Sequence, residues 1–207
     1  MDNSFRNLKL EHTNLYHPSI TMFRIGRDNE IINFNRDNIK KGDTIVLGYG
    51  EVDCRCHIHR QILLGKKEDD IIYELVNNYF NTILKNTKDL YARIIIVGVI
   101  PPTTQSEYEK INGPIQHEFP FVGTDEDRVR YTNKINNLLY NFSIAYNYIY
   151  FNPYDYYTRL DGTLKYEFSD SNVHLRHNSH FLEKFNLIMS RSPDFSKAKS
   201  PTGLISL

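Results

Sequence analysis

The sequence predicts a three-layer α/β domain built around a parallel sheet. Short apolar segments typical of buried strands alternate along the chain with longer segments whose apolar residues recur at helical spacing. The chain has 207 residues, of which 40% are hydrophobic, and this is enough for one domain with a substantial core. We expect a single domain over residues 1–191 and a flexible tail over residues 192–207, which are rich in Ser, Pro and Lys.

Four segments are candidate strands. Residues 44–47 and 93–100 form the clearest apolar runs, and Pro101-Pro102 ends the second because proline cannot extend a hydrogen-bonded ladder. Residues 148–151 form a third run. Residues 19–25 form an earlier candidate of moderate quality that stops before a turn-like segment.

Three segments are predicted helices. Residues 69–86 carry apolar side chains at three- and four-residue steps, as one face of an amphipathic helix does. Thr124 precedes three acidic residues and starts a second helix, whose apolar stripe is Val129, Ile135, Leu138, Leu139 and Phe142. The last helix opens at Asn178-Ser179. Residues 103–123 are interpreted as a long loop, either a lid or binding element or a surface insertion.

Composition narrows the class of protein. The chain has 25 Lys and Arg against 25 Asp and Glu, so no net charge attracts nucleic acid or an anionic membrane. No apolar run is long enough to span a bilayer, and the first residues lack a secretory pattern. Cys54 and Cys56 are too close in sequence to cross-link distant segments, which fits a reducing compartment. We therefore expect a cytoplasmic protein that needs no cofactor.

The stretch from Gly48 to His59 is the first candidate site. It follows a buried strand directly and is interpreted as a loop at the carboxyl end of that strand, where parallel sheets place their ligands. Cys54, Cys56, His57 and His59 are zinc-competent, but their spacing is unlike that of structural zinc knuckles, and we expect no metal site. Cys54 beside Arg55 is an alternative thiolate nucleophile, and two small buried cysteines are the simplest interpretation.

The second candidate site is the loop before the last helix. His174 is the best candidate for a general base, because histidine is the usual base at neutral pH. Asp170, four residues earlier, can hold the Nδ1 proton of His174 and stabilise the imidazolium. These two residues are the predicted catalytic pair.

Four segments resemble one protein family. They are Gly50-Glu-Val-Asp-Cys-Arg55, Val99-Ile-Pro-Pro-Thr103, residues 126–136 and Ser169-Asp-Ser-Asn-Val-His174. Together they resemble the SGNH/GDSL hydrolase-like proteins that carry a Gly-Glu-Ile-Asp-Cys-Arg signature. This resemblance implies a flavodoxin-like parallel sheet, with or without the family's first strand. It also implies acyl hydrolysis or transfer, often on sugars, with His174 as the base and Asp170 as its orienting acid.

The sequence departs from that family in three places. The family's first strand ends in Gly-Asp-Ser, whose serine is the nucleophile; Ser4 is the nearest counterpart here and Ser19 the second candidate. Val52 stands where the family carries an asparagine that donates to an oxyanion, so backbone N–H groups or Arg55 would have to replace it. Asp170 precedes His174 by four residues instead of three.

Two functions follow from these patterns. The leading one is an esterase or acyltransferase acting on carbohydrate esters, with a pocket shaped by Gly50, Glu51, Asp53, Arg55 and His57. Arg24 and Arg27 are expected to face the same cleft, where arginine forks suit carboxylate or phosphate groups, or else to form surface ion pairs. The alternative is a catalytically inactive SGNH-like module that binds a glycan or a protein. Either predicts a small-molecule or glycan ligand, no nucleic acid and no membrane, and the oligomeric state stays open.

Overall fold

The structure is a computed structural model that describes residues 20–30, 39–115 and 118–191. The predicted tail at 192–207 and the candidate nucleophiles Ser4 and Ser19 lie outside the described residues.

A parallel sheet lies at the centre of the described chain. Its strands are β1 (Thr44–Gly48), β2 (Arg93–Val97) and β3 (Ile149–Phe151), and they lie side by side in chain order. Both pairings are parallel, with Leu47 opposite Ile96 and Val97 opposite Phe151. Strand β2 ends three residues earlier than predicted, because the backbone N–H and C=O of Val99 bond the side chain of Asn136 instead of a strand.

Helices connect and cover these strands. They are α1 (Met22–Asp28), α2 (Ile58–Leu63), α3 (Glu68–Thr87), α4 (Gln105–Asn112), α5 (Asp125–Ala145), α6 (Tyr154–Tyr157) and α7 (Ser179–Arg191). A π-helical turn at Asp53–His57 precedes α2, and a short 3₁₀ turn occupies Tyr166–Phe168. Within the described ranges, no helix combines the length and apolar character that crossing a membrane requires.

The sheet has a core on each face. On one face, Leu47 and Ile96 pack with residues of α1, α3 and α5, including Phe80 and Ile135. On the other face, β2 and β3 pack with residues of α7 and with the chain that leads to it. Side chains of a strand point alternately to opposite faces, so adjacent residues such as Ile95 and Ile96 serve different cores. The predicted three-layer α/β architecture is confirmed.

The strand predicted at residues 19–25 is wrong, because the described part of this segment forms α1. Thr21 caps the helix by accepting a hydrogen bond from the backbone N–H of Arg24 at 3.0 Å. Met22 and Ile25, one turn apart, are both fully buried against α3. The isoleucine and threonine of this segment favour a strand, but its buried residues recur at the three-residue step of a helix.

Two predicted loops contain helices. Residues 105–112 of the long loop form α4, which Thr104 caps by accepting from the backbone N–H of Glu107 at 3.3 Å. The chain also becomes helical at Glu51, immediately after Gly50, so the segment from Glu51 to Leu63 is helical almost throughout. The candidate residues 51–59 therefore lie on a helix start and not on an open loop.

Helix α5 begins as predicted. Thr124 and Asp127 form a reciprocal capping box, in which the Asp127 carboxylate accepts the N–H of Thr124 at 3.0 Å. Its buried face differs from the predicted stripe, because it includes polar residues. The buried residues of α5 are Arg128, Tyr131, Thr132, Ile135, Asn136, Leu139 and Ser143.

Candidate active site at the carboxyl edge of the sheet

Gly50 makes the sharp turn from β1 into the helix that follows. Its φ of +122° lies in a region that side-chain-bearing residues rarely adopt. A Cβ atom at this position would lie 2.6 Å from Cγ2 of Val99 and 3.2 Å from Cε of Met22. The backbone at Gly50 therefore approaches the chain leaving β2 as closely as glycine allows, and this close approach forms the edge of the candidate site.

Asp53 lies directly beneath this turn and is fully buried. Its Oδ2 accepts the backbone N–H of Met22 at 2.8 Å, and its Oδ1 accepts that of Phe23 at 3.1 Å. These N–H groups belong to the first turn of α1, where a helix has no internal acceptor for them. Burial raises the pKa of Asp53 to about 6, although the two amides act in the opposite direction. The Asp53 carboxylate thus anchors α1 and faces that helix.

Arg55 forms a buried brace at the same edge. Its guanidinium binds both carboxylate oxygens of Glu51, at 2.6 and 3.2 Å, and also donates to the backbone carbonyl of Phe119. The backbone carbonyl of Arg55 accepts the N–H of Val122 at 3.0 Å. Both ends of Arg55 therefore hold residues 118–123, which we call the cover segment.

Arg128 holds the same cover segment from the other side. This side chain is 1% exposed, and its guanidinium donates to the carbonyl of Gly123 at 2.9 Å and pairs with Asp125. The guanidinium carbon lies 4.9 Å from the ring centre of Phe121, over which Arg55 also lies, at 5.7 Å. A cavity of about 10 Å³ remains beneath Phe121, bordered by Glu51, Cys54, Arg55, Thr103, Arg128 and Thr132.

Asp170 and His174 lie close together in the turn before α7. Nδ1 of His174 is 3.4 Å from Oδ2 of Asp170, and both side chains are partly exposed, at 34% and 19%. The other oxygen, Oδ1, accepts the backbone N–H of Asn172 at 2.9 Å and that of His174 at 3.4 Å. The pKa of Asp170 is lowered, since contacts with His174 and these amides outweigh the effect of burial. A four-residue spacing therefore still brings the Asp170 carboxylate to the His174 imidazole.

The turn that carries this pair is fixed to the segment that follows β2 and to α4. The carbonyl of Asn172 accepts the hydroxyl of Thr103 at 3.3 Å and that of Ser169 at 3.1 Å. Asn112 in α4 adds a bond of 2.7 Å to the carbonyl of Ser171. Thr103 also borders the cavity beneath Phe121. Thr103 therefore connects the turn that carries Asp170 and His174 with the cavity that Arg55 borders, at the carboxyl edge of the sheet.

Of the two predicted substrate-binding arginines, one borders a groove and the other does not. Arg24 and Arg27 are both exposed and both pair with Asp28, at 3.4 and 2.7 Å. Arg27 also lines a groove together with His57, between α1, α2 and α3, whereas Arg24 does not border that groove. His57 lies 5.5 Å from the ring centre of Phe23. Only Arg27 and His57 of the predicted set therefore share this groove.

The zinc and thiolate alternatives receive no support from the geometry. Among the described residues, no group of three or more His, Cys, Asp and Glu side chains is placed to hold a metal ion. Nδ1 of His59 lies 2.9 Å from the hydroxyl of Tyr131, and this contact aims the imidazole at α5. Burial raises the pKa of the Cys54 thiol far above its usual value, so the thiol stays protonated.

Sequence reasoning missed the roles of Arg128 and Asn136. Both stand on the face of α5 that also carries Tyr131, Ile135 and Leu139, at steps of three and four. A cation and an amide on a helical face that packs into the core indicate buried hydrogen-bonding roles. That periodicity was the available signal.

No protein-family model matches the sequence. No curated protein matches it.

Proposed function

We propose that this protein is an SGNH-like hydrolase or acyltransferase that acts on acyl esters of carbohydrates. The observation that carries the proposal is the 3.4 Å contact between His174 Nδ1 and Asp170 Oδ2 at the carboxyl edge of the sheet. Further support comes from the four segments that resemble the SGNH/GDSL family and from the parallel three-layer fold, which suits that family.

His174 is proposed as the general base. With Nδ1–H directed at the Asp170 carboxylate, the lone pair on Nε2 is available to accept a proton. Asp170 would stabilise the imidazolium that forms, and its second oxygen keeps the turn in place through Asn172. Such a pair suits proton removal from a hydroxyl at neutral pH.

Ser4 is proposed as the nucleophile, although it lies outside the described residues. His174 would take the proton of the Ser4 hydroxyl as the oxygen attacks the ester carbonyl, and return it to the departing sugar oxygen. Water would then release the acyl group by the same proton path. Backbone N–H groups at the helix start near Glu51 would stabilise the oxyanion in place of an asparagine, because those of a first helical turn have no internal acceptor.

The test is release of acetate from acetylated sugars, with glucose pentaacetate and xylose tetraacetate as substrates. We expect His174→Ala to lower turnover by about 10²–10⁴, the usual contribution of a general base. His177→Ala is the matched control, because His177 is an exposed histidine three residues away. Hydrolysis that survives His174→Ala would rule out the proposed base.

A serine-reactive fluorophosphonate tests the nucleophile separately. Intact mass and peptide sequencing should place one adduct on Ser4, and Ser4→Ala should abolish it. An adduct on another serine would transfer the nucleophile's role to that residue. Esterase activity without any adduct would favour direct attack by water activated by His174.

An inactive binding module is the second candidate function. It is favoured by the internal contacts of residues 50–55. Asp53 holds α1, and Arg55 holds Glu51 and the cover segment. Glu51 and Asp53 carry carboxylates, which accept hydrogen bonds, and Val52 is apolar, so none of these three side chains can donate to an oxyanion. Reproducible hydrolysis by pure protein that His174→Ala abolishes would exclude this alternative.

A further inference from the structure

The groove between α1, α2 and α3 is lined by side chains that the proposed hydrolysis does not use. It has a volume of about 220 Å³, below the roughly 300–1,000 Å³ typical of pockets for drug-sized ligands. None of its lining residues borders the cavity beneath Phe121. The groove therefore suits one small ring-shaped ligand, at a place distinct from the carboxyl edge.

An aromatic surface forms one wall of the groove. Phe23 is 45% exposed and borders the groove, so part of its ring is open to a ligand. His57 stands behind Phe23, with ring centres 5.5 Å apart, and Phe119 supports His57 at the same distance. Three rings in series hold the Phe23 side chain as a platform on which a flat ligand face can stack.

Polar side chains supply the rest of the lining. Gln61, Lys66, Glu74 and Asn78 border the groove, and within the described residues none of these side chains bonds to another protein group. Gln61 and Asn78 each donate and accept, Lys66 donates, and Glu74 accepts. The groove thus offers both donors and acceptors beside one exposed ring.

This mixture selects a neutral, hydroxyl-rich ligand over the alternatives. The negative charge of Glu74 offsets the positive charge of Lys66, and the charge of Arg27 is already shared with Asp28 at 2.7 Å. Burial and the nearby Arg60 lower the pKa of His57, so its imidazole adds no positive charge at neutral pH. A purely apolar ligand would strip water from the polar groups without replacing their hydrogen bonds.

We propose that the groove is a carbohydrate-binding site, in which one sugar ring stacks on Phe23 and its hydroxyl groups bond to Gln61, Glu74 and Asn78. Sugar hydroxyls donate and accept at once, as this lining requires, and sugar rings present an apolar face to an aromatic side chain. The ligand proposed here is a carbohydrate, as is the substrate of the proposed function. Binding in the groove does not need ester hydrolysis, because no residue of the groove belongs to the Asp170–His174 pair.

The test is saturation-transfer NMR on the full chain with four probes: the methyl glycosides of glucose, galactose, mannose and N-acetylglucosamine. The His174→Ala protein is measured beside the wild type, so that binding is read without turnover. We expect transfer to at least one glycoside, and binding weaker by roughly tenfold in Phe23→Ala. Tyr91→Ala is the matched control, since Tyr91 is 63% exposed with Lys41 6.0 Å above its ring, much as Arg27 lies 5.9 Å from Phe23.

Three outcomes would overturn the inference. They are no transfer to any of the four glycosides by folded protein, equal binding in Phe23→Ala and Tyr91→Ala, and preferential binding of inorganic phosphate that Lys66→Gln abolishes. Hydrolysis that depends on His174 but occurs without glycoside binding at Phe23 would leave the proposed function intact and remove this site. Binding at Phe23 without hydrolysis would support this site and remove the proposed function.

Discussion

The carboxylate of Asp53 accepts the backbone N–H of Met22 at 2.8 Å, although the two residues are 31 positions apart in the chain. Phe23 gives the second oxygen an equivalent bond, so a buried acid replaces the missing acceptors at the start of α1. This contact explains why an acid stands in the middle of the Gly-Glu-Val-Asp-Cys-Arg segment. It also fixes Phe23 and Met22, which border the groove and the Gly50 turn respectively.

Asp53 should make stability fall as pH rises through mildly acidic values. Its pKa is raised from 3.8 to about 6, so the folded state binds more protons than the unfolded state between these values. The stabilisation is complete below pH 3.8 and is lost as pH rises through about 6. The shift corresponds to a free energy on the order of 3 kcal/mol.

Urea unfolding followed by circular dichroism from pH 4 to pH 7 would measure this effect against Asp53→Asn, which cannot titrate. Because other carboxyl groups titrate identically in both proteins, the difference between their unfolding free energies isolates Asp53. The wild type should lose stability relative to Asp53→Asn over this range. A difference that stays constant with pH would show that Asp53 does not titrate there.

The fold was largely predictable because strands and long helices depend on local periodicity. The apolar steps of α3 and the Thr124 cap of α5 are written in consecutive residues. By contrast, α1 depends on Asp53, which no local window around Met22 contains. Residues 19–25 carry isoleucine and threonine, which favour a strand, and the distant acceptor outweighs that preference.

The candidate site was predictable where its residues are close in sequence. Asp170 and His174 share one turn, so their contact follows from four residues of chain. The contact between Arg55 and the backbone carbonyl of Phe119 could not be found in this way, because Phe119 lies 64 positions further on. The positive charge of Arg55 suggested a bound ligand, whereas in the fold the Arg55 guanidinium is occupied by Glu51 and a backbone carbonyl.

Gly50→Ala should destabilise the protein far more than Gly42→Ala. Both glycines have positive φ, of +122° and +91°, but only Gly50 has neighbours within 4 Å of an added Cβ. The conformational cost alone is about 1 kcal/mol, and the contact with Val99 should bring Gly50→Ala to roughly 3 kcal/mol. Thermal or urea unfolding of the two variants measures the difference. Equal losses would mean that Val99 and Met22 move aside freely.

Asn136→Ala should cost about 2–4 kcal/mol, since it leaves two buried backbone groups without partners. The Asn136 side chain accepts the N–H of Val99 at 2.7 Å and donates to its C=O at 2.9 Å. Asn137→Ala is the control, because Asn137 is exposed on the same helix and makes the same change in helix propensity. Asn136→Asp keeps only the acceptor for the N–H of Val99, so its unfolding free energy should lie between those of Asn136→Ala and Asn137→Ala. Equal unfolding free energies for Asn136→Ala and Asn137→Ala would contradict this role.

Arg55→Lys should loosen the cover segment while keeping the positive charge. A lysine ammonium cannot reproduce the planar fork that binds both Glu51 oxygens and the Phe119 carbonyl. We expect a loss of roughly 2–3 kcal/mol, because a partly buried carboxylate is left with weaker compensation. Hydrogen exchange of peptides covering residues 118–123 should become faster, and that of β2 should not.

Arg27→Lys provides the comparison for this last prediction. Arg27 also pairs with a carboxylate, but its side chain is 58% exposed, so its replacement should leave stability and exchange unchanged. If Arg55→Lys behaves like Arg27→Lys, the cover segment must be held by Arg128 and backbone contacts alone. If the cover segment loosens only in Arg55→Lys, the Arg55 guanidinium is the contact that holds this segment, and its positive charge stabilises the fold.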